Sequence, residues 1–207
     1  GIFVSEWMKQ GELDLSKFAK GTIFMVDASA KGLLDRMEAT ASISSLIGNA
    51  EADAVLIDLT NADKPIGIDG VIKTDNLDLG RIIGTDIIHE TTLRAGLKAR
   101  LSSGFPDVAI DSLIVDRMVW NDYGYTGIGA AGKLSGKALD GRIICNDPNL
   151  NFLFQGTFAL SSKTRNALYQ FYANIGHADL YAMNIDKRGI SRVQLQTNAN
   201  FTRTGQG

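Results

Sequence analysis

In Leu93-Arg94-Ala95-Gly96-Leu97-Lys98-Ala99-Arg100-Leu101 every odd position is apolar and every even one is charged or glycine. A helix needs apolar residues every three or four positions, whereas a period of two belongs to a strand with one apolar and one wet face. The pattern recurs towards the C-terminus. Leu150, Phe152, Phe154, Gly156, Phe158 and Leu160 share one parity, as do Ala167, Tyr169, Phe171, Ala173 and Ile175. So do Val193, Leu195, Thr197, Ala199 and Phe201. Weaker versions cover residues 22–30, 37–47, 66–74 and 141–145.

Strands with one wet face pair antiparallel, because the parallel strands of α/β proteins are apolar on both faces. Turn-forming residues separate the runs at 61–65, 102–104, 121–124, 146–149 and 187–189. The helical template fits only 5–20 and 77–88, both short or broken by glycine. The pattern therefore predicts a mainly β chain, antiparallel, with few short helices.

The 207 residues are 44% hydrophobic with a net charge of −2, so there is no basic surplus to hold nucleic acid. No apolar run reaches the roughly 18–20 residues that cross a bilayer as a helix, and no signal-peptide pattern opens the chain. A start at Gly1 and a stop at Gly207, just after a strand-like run, suggest a piece of a longer protein. One cysteine, Cys145, excludes an internal disulfide and a multi-cysteine zinc site and leaves the redox compartment open. Three prolines against 22 glycines favour regular structure with frequent tight turns.

Gly127-Ile128-Gly129-Ala130-Ala131-Gly132 matches the GxGxxG spacing of dinucleotide sites. That fingerprint needs a buried strand before it and a helix after it. Here the polar turn 121–124 precedes, and residues 133–141 carry two more glycines and no helical stripe. Asp147 lies near the distance of the acidic partner but in an Asn-Asp-Pro-Asn turn. The glycines read instead as a strand with room for curvature or close backbone approach, and no cofactor is expected.

Internal repetition is visible. Gly32-Leu33-Leu34-Asp35 returns as Gly104-Phe105-Pro106-Asp107, and residues 69–84 align with 140–156 after one insertion. An Asp-Leu step recurs at Asp14, Asp78 and Asp179, dividing the chain into units of about 1–77, 78–178 and a truncated 179–207. Strand-plus-turn units laid end to end make a quasi-one-dimensional stack. A sheet apolar on one face must meet a second sheet or curl around something apolar.

The succession of motifs resembles the AsmA-like/TamB family of Bacteroidota. It runs through Tyr123-Gly124-Tyr125, Gly127 to Gly132, Leu139-Asp140-Gly141-Arg142-Ile143, Asn146-Asp147-Pro148-Asn149, Phe154-Gln155-Gly156 and Ala178-Asp179-Leu180. Residues 70–84 are similar to that family's G-x-L-x-T-x-x-L-D-L-G-x-L-L-G step. The resemblance covers roughly residues 60–207 well and the first 60 loosely. It implies an internal fragment of a periplasmic protein anchored in the inner membrane, an elongated, curled antiparallel sheet forming a hydrophobic groove or β-taco. The implied role is phospholipid transfer between the membranes and outer-membrane biogenesis, without enzymatic activity. Partners would be phospholipid acyl chains, the rest of the same polypeptide and an outer-membrane assembly protein.

The groove would be lined by Leu93, Leu97, Leu101, Phe152, Phe154, Phe158, Tyr169, Phe171, Ile175, Val193, Leu195 and Phe201. Alternating strands more commonly fill a closed core with such residues; the resemblance points to an open groove. The rival is a structural or adhesive β-solenoid or sandwich of a surface protein that binds no lipid. An enzyme would need converging polar groups. His89 lacks the second histidine of HExxH, His177 sits in a turn-like stretch that reads as solvated, and Cys145 reads as a buried inert thiol. Ser161-Ser162-Lys163 lacks the S-x-x-K spacing and reads as a loop, and Asp14, Asp78 and Asp179 read as turn or cap residues.

Overall fold

The computed structural model describes residues 23–60, 63–102, 106–160 and 167–203. They form β1 (Phe24–Leu33), β2 (Arg36–Ser45), β3 (Gly48–Ile57), β4 (Ile66–Asp78), α1 (Leu79–Ile83), β5 (Ile88–Leu101) and β6 (Asp107–Trp120). There follow β7 (Tyr123–Ser135), β8 (Ala138–Asp147), β9 (Leu150–Leu160), β10 (Ala167–Asp179) and β11 (Arg192–Arg203). All eleven strands lie in one antiparallel sheet in the order of the sequence. The sheet is open: it curls without closing into a barrel. Among the described residues it is a single layer, not two facing sheets.

The expected helix over 77–88 shrinks to the single turn α1, started by Asp78, whose Oδ1 accepts from the Arg81 N–H at 3.1 Å. It stops at Gly84 in the left-handed region, the conformation in which helices commonly end. The other expected helix, 5–20, lies outside the described residues.

The register sets side chains of one parity into rows across the sheet. One row reads Ala28, Ala41, Ala52, Ile72, Ala95, Leu113, Ala130, Ile143, Phe154, Ala173 and Thr197 from β1 to β11. Its opposite-face neighbour begins Asp27, Ser42, Glu51, Lys73 and Arg94. One side of the sheet is therefore apolar nearly throughout, and the first half of the other is charged.

A shift of 102 positions carries β2 onto β8 at both ends (36 to 138, 45 to 147), and β5 onto β11 at its C-terminal end (101 to 203). A shift of 101 carries β4 onto β10 (66 to 167, 78 to 179). The correspondence extends to detail. The register slips between Thr74 and Leu77 in β4, and between Ile175 and Ala178 in β10. The Asp78 N–H donates to the Ile47 carbonyl, and the Asp179 N–H to the Asn149 carbonyl. Ser45 Oγ accepts from the Ile47 N–H as Asp147 Oδ1 accepts from the Asn149 N–H. The repeating unit is thus six strands long, with Asp78 and Asp179 closing equivalent strands.

The bulges at Thr74/Leu77 and Ile175/Ala178, the slip at Thr92/Leu93 in β5 and Gly127 (φ 62°) in β7 fall at one level of the sheet. Bulges bend strands, and below this level the apolar side chains are the best buried. Leu77, Thr91, Tyr125 and Ala178 are each at most 5% exposed. Residues 180–191 fold over this end, driving Met183 between Tyr125 and Ala178, with Trp120, Ile128, Leu150 and Val193 packed around them. The well-packed core is this end cap.

Candidate functional site

Above the cap, three rows define a trough on the apolar face. The middle row holds Gly132, Gly141 and Gly156 on β7, β8 and β9, bounded by Ile110 on β6 and Phe171 on β10. Glycine projects nothing into the space above the sheet, so these three form a low floor. One wall is Ala130, Ile143 and Phe154; the other is Val108, Leu134, Leu139, Phe158 and Tyr169. Residues two apart on a strand are separated by about 6.7 Å, so the walls stand about 13 Å apart. The hollow between them holds about 620 Å³, within the usual range for small-molecule sites.

The walls are ordered by ring contacts. Phe158 meets Tyr169 edge-on at 4.9 Å, and Tyr169 stacks on Phe201 at 4.6 Å, continuing that wall to the sheet edge. Phe154 and Phe171 lie 5.6 Å apart where the opposite wall meets the β10 end of the floor. Leu139, Ile143 and Phe201 are each at least 43% exposed, so the wall tops stay open to solvent.

The expected lining residues fall on this face. Phe154, Phe158, Tyr169 and Phe171 border the hollow itself. Leu93, Phe152, Ile175 and Leu195 form the adjoining row towards the cap, and Val193 packs into the cap. Leu97 continues the floor row from Ile110 on β6 onto β5. Leu101, paired with Ile66, stands at the far end of β5. Sequence reasoning missed Ile110, Leu134, Leu139 and Ile143 and the glycine floor. The signal for the floor was three glycines, each replacing a side chain on the apolar parity of its strand.

At the closed end sits a buried carboxylate. Asp147 accepts from Tyr123 Oη at 2.5 Å, from Thr126 N–H at 3.0 Å and Thr126 Oγ1 at 3.1 Å, and from Asn149 N–H at 2.9 Å. Burial alone would push its pKa up, but the bonds from Tyr123, Asn149 and Thr126 together hold it below the usual carboxylate value. Burial, with the Asp147 bond, pushes the Tyr123 hydroxyl up to about 12. The pair is therefore a neutral donor beside a fixed negative charge, tying the β8–β9 turn to β7. The acidic residue found near the glycine motif is a latch between strands, and the motif itself lies within β7.

His177, expected in a solvated turn, is instead half-buried in β10 opposite Asn151, because the strand continues through the bulge to Asp179. His89 lies on β5. The Cys145 thiol is buried and donates to the Thr126 carbonyl at 3.7 Å, and burial raises its pKa. Residues 161–163 and Asp14 lie outside the described residues. Among the described residues no three His, Cys, Asp or Glu side chains converge as metal ligands. Behind the glycine floor the wet face carries a broader hollow of about 790 Å³, bordered by Lys133, Asp140, Arg142 and Gln155. Its Asp140 is engaged by Thr157 at 2.6 Å.

The trough's chemistry is nondirectional. An acyl chain laid in it would gain about 0.8 kcal/mol per buried methylene, against the cost of immobilising it. Filling the floor should abolish this gain. A Cβ on Gly141 would meet the Ala131 carbonyl oxygen at 3.2 Å and little else, so Gly141→Leu is expected to fold. Its side chain would occupy the channel. Titration with a fluorescent fatty acid should read at least tenfold weaker binding, with the thermal midpoint within a few degrees of the parent.

Compared with protein-family models, with curated proteins and with solved structures, the chain finds no match.

Proposed function

We propose that residues 1–207 are a segment of an AsmA-like/TamB-type protein of the periplasm whose trough holds phospholipid acyl chains in transit between membranes. The segment is not an enzyme: it works by burying apolar surface. The observation that carries this reading is the sheet's long apolar face, eleven strands wide, left without a second layer among the described residues. A sheet with that face ordinarily buries it. Exposed apolar patches of this extent mark binding surfaces, and a chain-like ligand fits a channel with a glycine floor. The succession of Tyr-x-Tyr, Asp-Gly-x-Ile, Asp-Pro-Asn and Ala-Asp-Leu motifs supports the family assignment.

The rival, a structural or adhesive surface module, has the same strands and no use for the trough. Gentle extraction of residues 1–207 from a bacterial host, followed by native mass spectrometry and lipid extraction, separates the two. The expected result is protein carrying diacyl phospholipid, displaced by added fatty acid. Lipid-free protein that also fails to take up a fluorescent phospholipid from vesicles would overturn the reading.

A further inference from the structure

The floor row of the trough is low over β7, β8 and β9, and a large side chain stands up from it at each end. At one end Ile110 on β6 faces Gly132, with Leu97 on β5 behind it. At the other Phe171 on β10 faces Gly156, and beyond it the row drops again to Ala199 on β11.

The preceding repeat unit shows that the fold does not require a ring at position 171. A shift of 101 carries Gly70 onto Phe171, and a shift of 102 carries Ala54 onto Gly156. Ala54 faces Gly70 on β3 and β4 as Gly156 faces Phe171 on β9 and β10. The sheet bends sharply at both junctions. A Cβ on Gly70 would lie 2.8 Å from Ala54 Cβ, and one on Gly156 would lie 2.5 Å from Phe171 Cβ. Carbon atoms pack at about 3.5–4.0 Å, so one member of each pair must be glycine. In the first unit β4 carries that glycine, and the row stays low through both strands. In the second β9 carries it, and β10 presents an aromatic ring. Either arrangement satisfies the bend; only the second closes the floor.

We infer that Ile110 and Phe171 are end-stops that gauge the length of the acyl chain. The inference rests on the acyl reading above and deepens it. The chain lies across the strands, along the glycine row. The three glycine-bearing strands span about 14 Å and the two stops stand about 19 Å apart along the sheet. An extended saturated chain advances about 1.25 Å per carbon, so the floor fits about 12–16 carbons. Each methylene laid on the floor is worth up to about fourfold in affinity. A longer chain must climb over a side chain and turn its flank to water, so its further methylenes add little.

The test is displacement of a fluorescent fatty acid from residues 1–207 by saturated fatty acids of about 10 to about 22 carbons, each below its micelle-forming concentration. Affinity should rise at least twofold per methylene up to the fitted length and level off beyond about 16 carbons. Phe171→Ala leaves Gly156 facing alanine, the mirror of Ala54 facing Gly70, so it should fold. It opens the floor across β10 and β11, and its plateau should move out by about eight carbons. Ile110→Ala opens only β6, because Leu97 still stands behind it, and should move the plateau by about four. Affinity that climbs steadily to the longest acid in the parent overturns the gauge, as does a folded Phe171→Ala variant with the parent's length profile. Should Phe171→Ala fail to fold, the parent series and Ile110→Ala decide alone. Failure of acids of every length to bind overturns the acyl reading itself, and the gauge with it.

Discussion

Phe154→Arg combined with Phe171→Arg will leave the sheet folded and weaken acyl binding by about 100-fold. The two rings are neighbours on β9 and β10, 5.6 Å apart where one wall meets the end of the floor, and both are only partly buried. In a closed core, two buried guanidinium groups would unfold the protein. Over an open trough each arginine can lay its methylenes along the apolar wall and lift its charge into water. The ligand, by contrast, loses two aromatic contacts and would have to strip water from two cations. A loss of about 3 kcal/mol corresponds to slightly more than 100-fold in affinity. Circular dichroism with a thermal melt, beside fluorescent fatty-acid titration, reads both halves. An unfolded double variant would mean that these rings belong to a packed interior.

The largest effect on stability is expected at Asp147→Ala, about 3 kcal/mol measured by urea unfolding at pH 7. Removing the carboxylate leaves the Tyr123 hydroxyl and the Thr126 and Asn149 N–H groups without their acceptor in a partly buried place, and hydrogen bonds to a charged group are worth about 1.5–3 kcal/mol each. The same site sets a pH dependence. The folded-state pKa of Asp147 lies below its unfolded value. Its contribution is therefore fully present above the unfolded value, about 3.9, and is lost as pH falls through the folded one. The stability gap between the parent and Asp147→Asn should be constant from pH 7 to 5 and shrink below pH 4. A gap that widens with acid would contradict the assignment of the charged form to the fold.

How much of the fold could be read beforehand depended on whether the period of two survived along each strand. It survived in β5 over 93–101, in β9 and in β11, and those strands stand where the alternation predicted them. It failed in β6, where the slip between Ile110 and Leu113 and the irregular step after Val115 change the parity twice, so Val108, Ile110, Leu113, Val115 and Met118 fit no single template. β3 was missed for another reason. Its apolar parity is Ala50, Ala52 and Ala54 between acidic residues, and alanine has little strand preference of its own. The neighbours on both sides impose the conformation.

The candidate site was legible to the same extent. The alternation placed its aromatic walls on one face, because parity alone decides facing. It did not place the floor, since a glycine on the apolar parity reads as a weak point in a strand until the register lines three of them up. Nor did it reveal the cap: Met183 sits in a stretch without regular structure, and its burial arises from contacts with Ala178 at the end of β10 and with Tyr125, far away in sequence.

The six-strand period also makes this architecture a measuring rod. Neighbouring strands advance by about 4.8 Å, so one unit lengthens the sheet by about 29 Å. Because equivalent turns recur at both junctions, duplication or deletion of a whole unit would change the reach of the protein in steps of that size while preserving every pairing within it. A gene that gained or lost units of this kind would tune the gap a chain spans without redesigning any of its joints.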